Sequence, residues 1–345
     1  MNTDSNPSSA TVATASSREP FDFAKWWDRV GILMVLLALV ILMSAIAPNF
    51  NRIDNLLNIA RAISINAILA AGMTLVILTG GIDLSVGSIV AVSGVVAVIA
   101  AIGGLPAPAA IVLGMGVGAV CGLVNGGLTA YLSLAPFIVT LGTMTFLRGL
   151  AYTITEGQPI VSSALNFKDI GNGYLWGIPM PVLVMVVVYA IVWFILERTR
   201  YGRHVYAVGG NAEAAELAGV RVKRVITSVY VLAGICAGLA GVIFAARVIS
   251  AQPTAGTGYE LDAIAAVVLG GTSLAGGRGR IIGTLIGSVI LGVLGTGLIL
   301  LNVPFFTQLL IKGIVIILAV AIDSLKQRPA LLRLGSRKPP APPKT

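Results

Sequence analysis

Residues 197–224 read ERTRYGRHVYAVGGNAEAAELAGVRVKR. They carry six Lys/Arg residues, three Glu and the chain's one His, His204, and apolar runs flank them on both sides. A basic segment between membrane spans stays on the cytoplasmic side, because Lys and Arg resist translocation. A loop that only joined two spans would need no helix of its own, yet residues 210–220 predict a short one. Asn211 can cap its start, and Glu213 sits in the first turn, where the helix dipole favours an acid. Gly219 can end it. Ala212, Ala215 and Ala218 are expected to give a smooth face that a partner's groove can approach. A helix lying on lipid would need a Trp/Phe/Leu face, which is lacking here. The segment therefore reads as a docking site for a cytoplasmic partner.

Composition agrees with a membrane setting. Hydrophobic residues make up 57% of the 345 and charged residues 11%, with a mean hydropathy of +0.94. A soluble domain has about 25% charged residues. The net charge of +9 could suggest nucleic acid. However, six basic residues lie in the 197–224 segment and six more (Lys326, Arg328, Arg333, Arg337, Lys338 and Lys344) lie near the C-terminus. That distribution is a topology signal, and no nucleic-acid partner is expected. Cys121 and Cys236 lie within apolar runs and read as free thiols.

Apolar stretches fall near residues 31–47, 61–79, 86–103, 108–130, 136–155, 180–196, 225–246, 261–275, 281–301 and 305–322. They predict an all-α polytopic protein with about ten membrane segments, some too short or too glycine-rich to cross fully. Six segments precede the basic loop and four follow it, so both termini are expected in the cytoplasm. Residues 1–30 read as a polar cytoplasmic leader, 31–325 as the transmembrane domain, and 326–345 as a basic, Pro-rich disordered tail. Ala45-Ile46-Ala47 looks like a signal-peptidase site, but Pro48 follows directly and the polar leader is long. A retained first span is the reading. Residues 156–179 are polar with few cations and read as an outer loop.

Two stretches share a pattern: TLVILTGGIDLSVG at 74–87 and VVLGGTSLAGG at 267–277. A Gly-Gly pair within a membrane segment frees backbone groups that protein or a water-filled cavity must satisfy. Interrupted segments in two halves point to a substrate pathway. Asp83 in the first stretch has two compatible readings. It can cap a helix starting at Leu84, or it can be a pathway or proton-carrying acid, since an intramembrane carboxylate is costly. Asn66, Ser85, Asn125 and Thr140 are further pathway candidates, each equally able to bond a neighbouring helix. Arg148 and Lys312 can snorkel or pair with an acid. Glu260 and Asp262 open a helix and complement its dipole.

No catalytic constellation, metal cluster or Gly-x-x-x-x-Gly-Lys-Ser/Thr phosphate loop is present in the sequence. The chain has no evident means of using ATP itself, and no cofactor is expected in it.

GMTLVILTGGIDLSVGS (72–88), YAVGGNAEAAELAGV (206–220) and SAQPTAGTGYELDAIAAVVLGGTSLAGGRGRIIGTLIG (250–287) resemble the permease subunits of bacterial ABC importers for monosaccharides, of the ribose type. The resemblance runs from about residue 31 to 325. It implies a fold related to the vitamin B12 importer class, a second permease copy, a cytoplasmic ATPase that binds ATP and Mg, and an extracytoplasmic sugar-binding protein. It also implies that Gly210, Asn211, Ala212, Glu213, Ala214, Ala215, Glu216, Leu217, Ala218, Gly219 and Val220 form the coupling helix that docks into the ATPase. The alternative is a secondary sugar transporter driven by an ion gradient through Asp83.

Overall fold

The computed structural model describes residues 23–318 and 321. Residues 1–22 of the polar leader and the whole 326–345 tail lie outside the described residues. Long apolar helices dominate: α1 (Phe23–Ile46), α2 (Ile53–Leu78), α3 (Val86–Ile102), α4 (Ala107–Tyr131), α5 (Pro136–Ile154), α7 (Met180–Arg198), α10 (Val222–Val248) and α12 (Ile281–Leu300). Shorter helices are α6 (Asp169–Asn172), α8 (Arg200–Gly210), α9 (Ala212–Leu217), α11 (Tyr259–Leu269) and the apolar α13 (Phe305–Leu318). Two-residue strands pair as β1 (Ile160–Val161) with β4 (Ser250–Ala251), and β2 (Tyr174–Leu175) with β3 (Ile178–Pro179), both antiparallel.

Each of the ten apolar stretches centres on a helix. Six of the helices (α2, α4, α5, α7, α10 and α12) are long and apolar enough to cross a membrane. The stretch at 261–275 outruns its helix, because α11 stops at Leu269. The first helix begins at Phe23, inside the polar leader.

The core is built around α2 and α10. From Ile63 to Leu78, only Asn66 escapes full burial; a helix apolar on every side belongs in the middle of a bundle. α10 packs against α2, α3 and, most extensively, α4. Lipid provides no hydrophobic drive between helices, so this contact depends on close packing of small residues. Gly114, Gly118, Gly122 and Gly126 form one ridge of α4. A Cβ at Gly118 would fall on the Gly234 carbonyl oxygen, one at Gly122 on that of Tyr230, and one at Gly126 would lie 2.7 Å from Thr227 Cα. In return, a Cβ at Gly238 would come within 2.8 Å of the Gly114 oxygen.

One pair of substitutions tests this. Gly118→Ala should lower stability by about 1–3 kcal/mol, the usual cost of overpacking. Gly116→Ala, two residues away, places its Cβ where nothing lies within 4 Å, and should be neutral or slightly stabilising. Thermal unfolding of the two detergent-solubilised variants makes the comparison.

Candidate functional site

The polar segment folds into α8 and α9. Thr199 caps α8, its Oγ1 accepting from Gly202 N at 3.2 Å. Gly202, Val205 and Val208 turn inward, and Tyr201 Oη bonds Ser228 Oγ at 2.7 Å. Asn211 caps α9, its Oδ1 accepting from Ala214 N at 2.9 Å. The far end closes with Gly219 N donating to Glu216 O at 2.9 Å and Val220 N to Ala215 O at 3.0 Å, the paired bonds that end a helix at a left-handed residue.

The alanine face expected of α9 does not form. Ala215 is buried against the chain itself, since α9 packs on α8 and α10. The surface that α9 presents is Ala212, Glu213, Ala214, Glu216, Leu217 and Ala218, with Leu217 91% exposed.

α9 is mounted on a junction of three backbones. α2 ends at Leu78 with Gly80 N bonding Ile77 O at 2.9 Å and Gly81 N bonding Val76 O at 3.1 Å. α11 ends at Leu269 in the same way, with Gly271 N to Val268 O at 2.8 Å and Thr272 N to Val267 O at 3.2 Å. The left-handed residues are Gly80 (φ 81°) and Gly271 (φ 82°). These are the first glycine of one pair and the second of the other, so the two sequence patterns match one residue out of structural register. Beyond these ends the segments meet: Gly277 N donates to Leu78 O at 2.9 Å. Gly209, the penultimate residue of α8, lies against that bond so closely that a Cβ on it would fall on the Leu78 oxygen and 2.6 Å from Gly277 N. Tyr206 on α8 adds a bond from its hydroxyl to Gly279 O at 3.0 Å. Burial pushes the Tyr206 phenol up to about 12, so it remains a protonated donor at neutral pH. Sequence reasoning found the pairs at 80–81 and 270–271 but not Gly209 and Gly277; the signal available was two further pairs, Gly209-Gly210 and Gly276-Gly277.

Asp83, Ser85, Asn125 and Thr140 come together near the start of α3, and all four are fully buried. α3 begins at Val86 rather than at Leu84. Asp83 Oδ1 accepts from Ser85 N at 2.9 Å and Ser85 Oγ at 2.6 Å, capping the turn that leads into the helix. Asn125 Nδ2 on α4 donates to Ser85 Oγ at 2.8 Å, and Thr143 Oγ1 on α5 donates to Asn125 Oδ1 at 2.6 Å. Thr140 Oγ1 reaches Ile82 O at 3.3 Å. The relay of donors ends on Asp83, whose Oδ2 has no hydrogen-bond partner among the described residues. Thr143 was not foreseen; its spacing from Thr140 is ordinary for any helix.

Asn66 stands apart, on α2, lining a cavity of about 250 Å³. Arg148 Nη1 donates to Pro253 O and Ala255 O, both at 2.7 Å, and Glu260 lies near enough to act on its charge. Lys312 does pair with an acid, Asp262, at 2.9 Å. Cys121 and Cys236 are free thiols.

Residues 55–320 match a family model described as branched-chain amino acid transport system / permease component. The ribose import permease protein RbsC of Escherichia coli K12 is 49% identical over 323 residues, covering 92% of this chain and 100% of that protein. RbsC of Bacillus subtilis 168 is 51% identical over 301 residues, covering 87% and 94%. The D-allose transport system permease protein AlsC of Escherichia coli K12 is 40% identical over 313 residues, covering 90% and 96%. No solved structure matches. A bundle of apolar helices with a capped polar segment between two of them, together with a family match across most of its length, makes this chain a polytopic membrane permease that belongs to the family of transport-system permease components.

Proposed function

We propose that the chain is the non-catalytic, membrane-spanning subunit of an ATP-driven ABC importer in the bacterial inner membrane, and that it moves a monosaccharide, ribose foremost, delivered by an extracytoplasmic binding protein. The observation that carries this is near-full-length identity of 49–51% to permeases that import ribose. A relative at 40% takes allose, so related sugars are the competing substrates. The subunit works with a second copy of itself and with a cytoplasmic ATPase that binds ATP and Mg. Its ten helical segments adopt a vitamin B12-importer-like arrangement, with both termini in the cytoplasm.

Residues 210–220 are the ATPase dock. The exposure of Leu217 and the acids Glu213 and Glu216 around it support that role: one apolar knob in a charged rim suits a groove better than lipid. Movement of α9 reaches the membrane segments through Gly209, which abuts the ends of α2 and the α11–α12 loop. Asp83, Ser85 and Asn125 hold the start of α3 to α4, and Thr143 extends that hold to α5. Their enclosure favours a structural pin over an ion-carrying site, and Thr140 steadies the same turn.

Uptake into vesicles with trapped ATP and a collapsed proton gradient should continue for the assembled importer; uptake that stops would mark a gradient-driven carrier instead. Glu213→Lys with Glu216→Lys should abolish capture of the ATPase in a pull-down while membrane insertion persists. Asp83→Asn retains an acceptor for the Ser85 donors and should keep most transport. Asp83→Leu leaves them unpaired, and should cost about 1–3 kcal/mol in thermal unfolding.

A further inference from the structure

The cavity beside Asn66 has a charged lining, as does one of about 450 Å³ beside His204, Arg221 and Arg224 at the polar segment, whereas others are apolar. One of these others, also of about 450 Å³, is walled by apolar side chains such as Leu75, Met180, Val184 and Leu239, as expected of a groove filled by lipid tails. The cavity of about 250 Å³ lies among α2, α10, α11, α12 and α13, and Asn66, Arg247, Tyr259, Asp262, Gln308 and Lys312 line it. Charged groups at membrane depth face a bundle interior or water rather than lipid. Its volume equals roughly eight waters, room for one small solute. Its walls also retain unused bonding capacity. Among the described residues, the Arg247 guanidinium makes no hydrogen bond. Lys312 and Asp262 satisfy each other at 2.9 Å, yet the lysine side chain is still 30% exposed. Gln308 and Lys312 are four apart on α13, so they share one face, while Phe306, Leu310 and Ile317 are exposed elsewhere on it.

We propose that this cavity is an intramembrane resting site for the transported monosaccharide, with the Asp262 carboxylate accepting its hydroxyls, Arg247 donating to its oxygens and Asn66 bordering it. A neutral solute with alternating donors and acceptors can engage both signs of this lining without leaving a charge unpaired, whereas an anion or cation would compete with the Asp262–Lys312 pair. The assignment rests on the monosaccharide reading above and adds the place of binding.

Gly295 supplies the probe. It lines the cavity, and a Cβ built on it meets nothing within 4 Å, so a new side chain there fills space without disturbing packing. Gly295→Cys is made with Cys121 and Cys236 replaced by alanine, and the permease is assembled with its ATPase and binding protein in liposomes. A charged, membrane-impermeant thiol reagent should label Gly295→Cys, and ribose with its binding protein should slow labelling at least fivefold. Val187→Cys, in the apolar groove, should stay unlabelled. Gly295→Leu should lower uptake at least tenfold with the ATPase still bound. An importer that takes up ribose while Gly295→Cys is inert, or is labelled at a rate indifferent to sugar, overturns the resting site and leaves the importer reading intact. An assembled wild-type importer that moves no monosaccharide overturns both.

Discussion

A backbone within hydrocarbon has no water to bond, so wherever a helix stops, protein must take over its hydrogen bonds. In this chain that constraint converges on the bond from Gly277 N to Leu78 O. It joins the end of a helix from the first half to a loop from the second. Each helix first closes its own last turn through a left-handed glycine, satisfying two carbonyls. The remaining Leu78 carbonyl is met across the bundle, and the backbone of α8 seals the bond because Gly209 has no side chain to hold it off. The polar segment is therefore part of how the membrane core is satisfied. A side chain at Gly209 would push this bond open, so glycine there is what lets the helix ends and the loop meet.

The interior is held by contact rather than by burial from water. α4 and α10 approach until glycine meets carbonyl oxygen along four successive turns, and dispersion accumulates along such a seam although each atom pair contributes only about 0.1–0.2 kcal/mol. A seam of small residues is weak in specifying register. Across this seam Thr227 Oγ1 on α10 donates to Gly126 O on α4 at 3.3 Å, while the relay from Thr143 through Asn125 and Ser85 to Asp83 fixes α4 against α5 and the start of α3, since a shift of one turn would leave buried donors unpaired.

Local features were legible in the sequence. The ten apolar stretches, the Asn211 cap and the Gly219 stop depend on neighbours within a few residues, and hydropathy and capping chemistry report those directly. What escaped depended on partners far along the chain. The inward turn of Ala215 follows from the tertiary packing of α9, and the carbonyl partners of Arg148 lie more than a hundred residues away. The Gly-Gly resemblance misled by one position, because a helix end is set by its last bonded turn and not by the residues that make it recognisable. Of the five pathway candidates, Asn66 alone borders the polar cavity; single polar residues in apolar runs look alike until their neighbours are known.

The same helices connect the two ends of this arrangement. α2 carries Asn66 at the cavity and ends at Leu78 in the junction, twelve residues and about 18 Å later. α11 carries Asp262 at the cavity and leads directly into the Gly270–Gly277 loop. A displacement of α8 against the junction would bear on both helices that wall the cavity. A solute bound to both walls biases the same equilibrium in return, by its difference in affinity for the two arrangements. The absence of side chains at Gly209 and Gly277 thus lets three backbones meet without a gap.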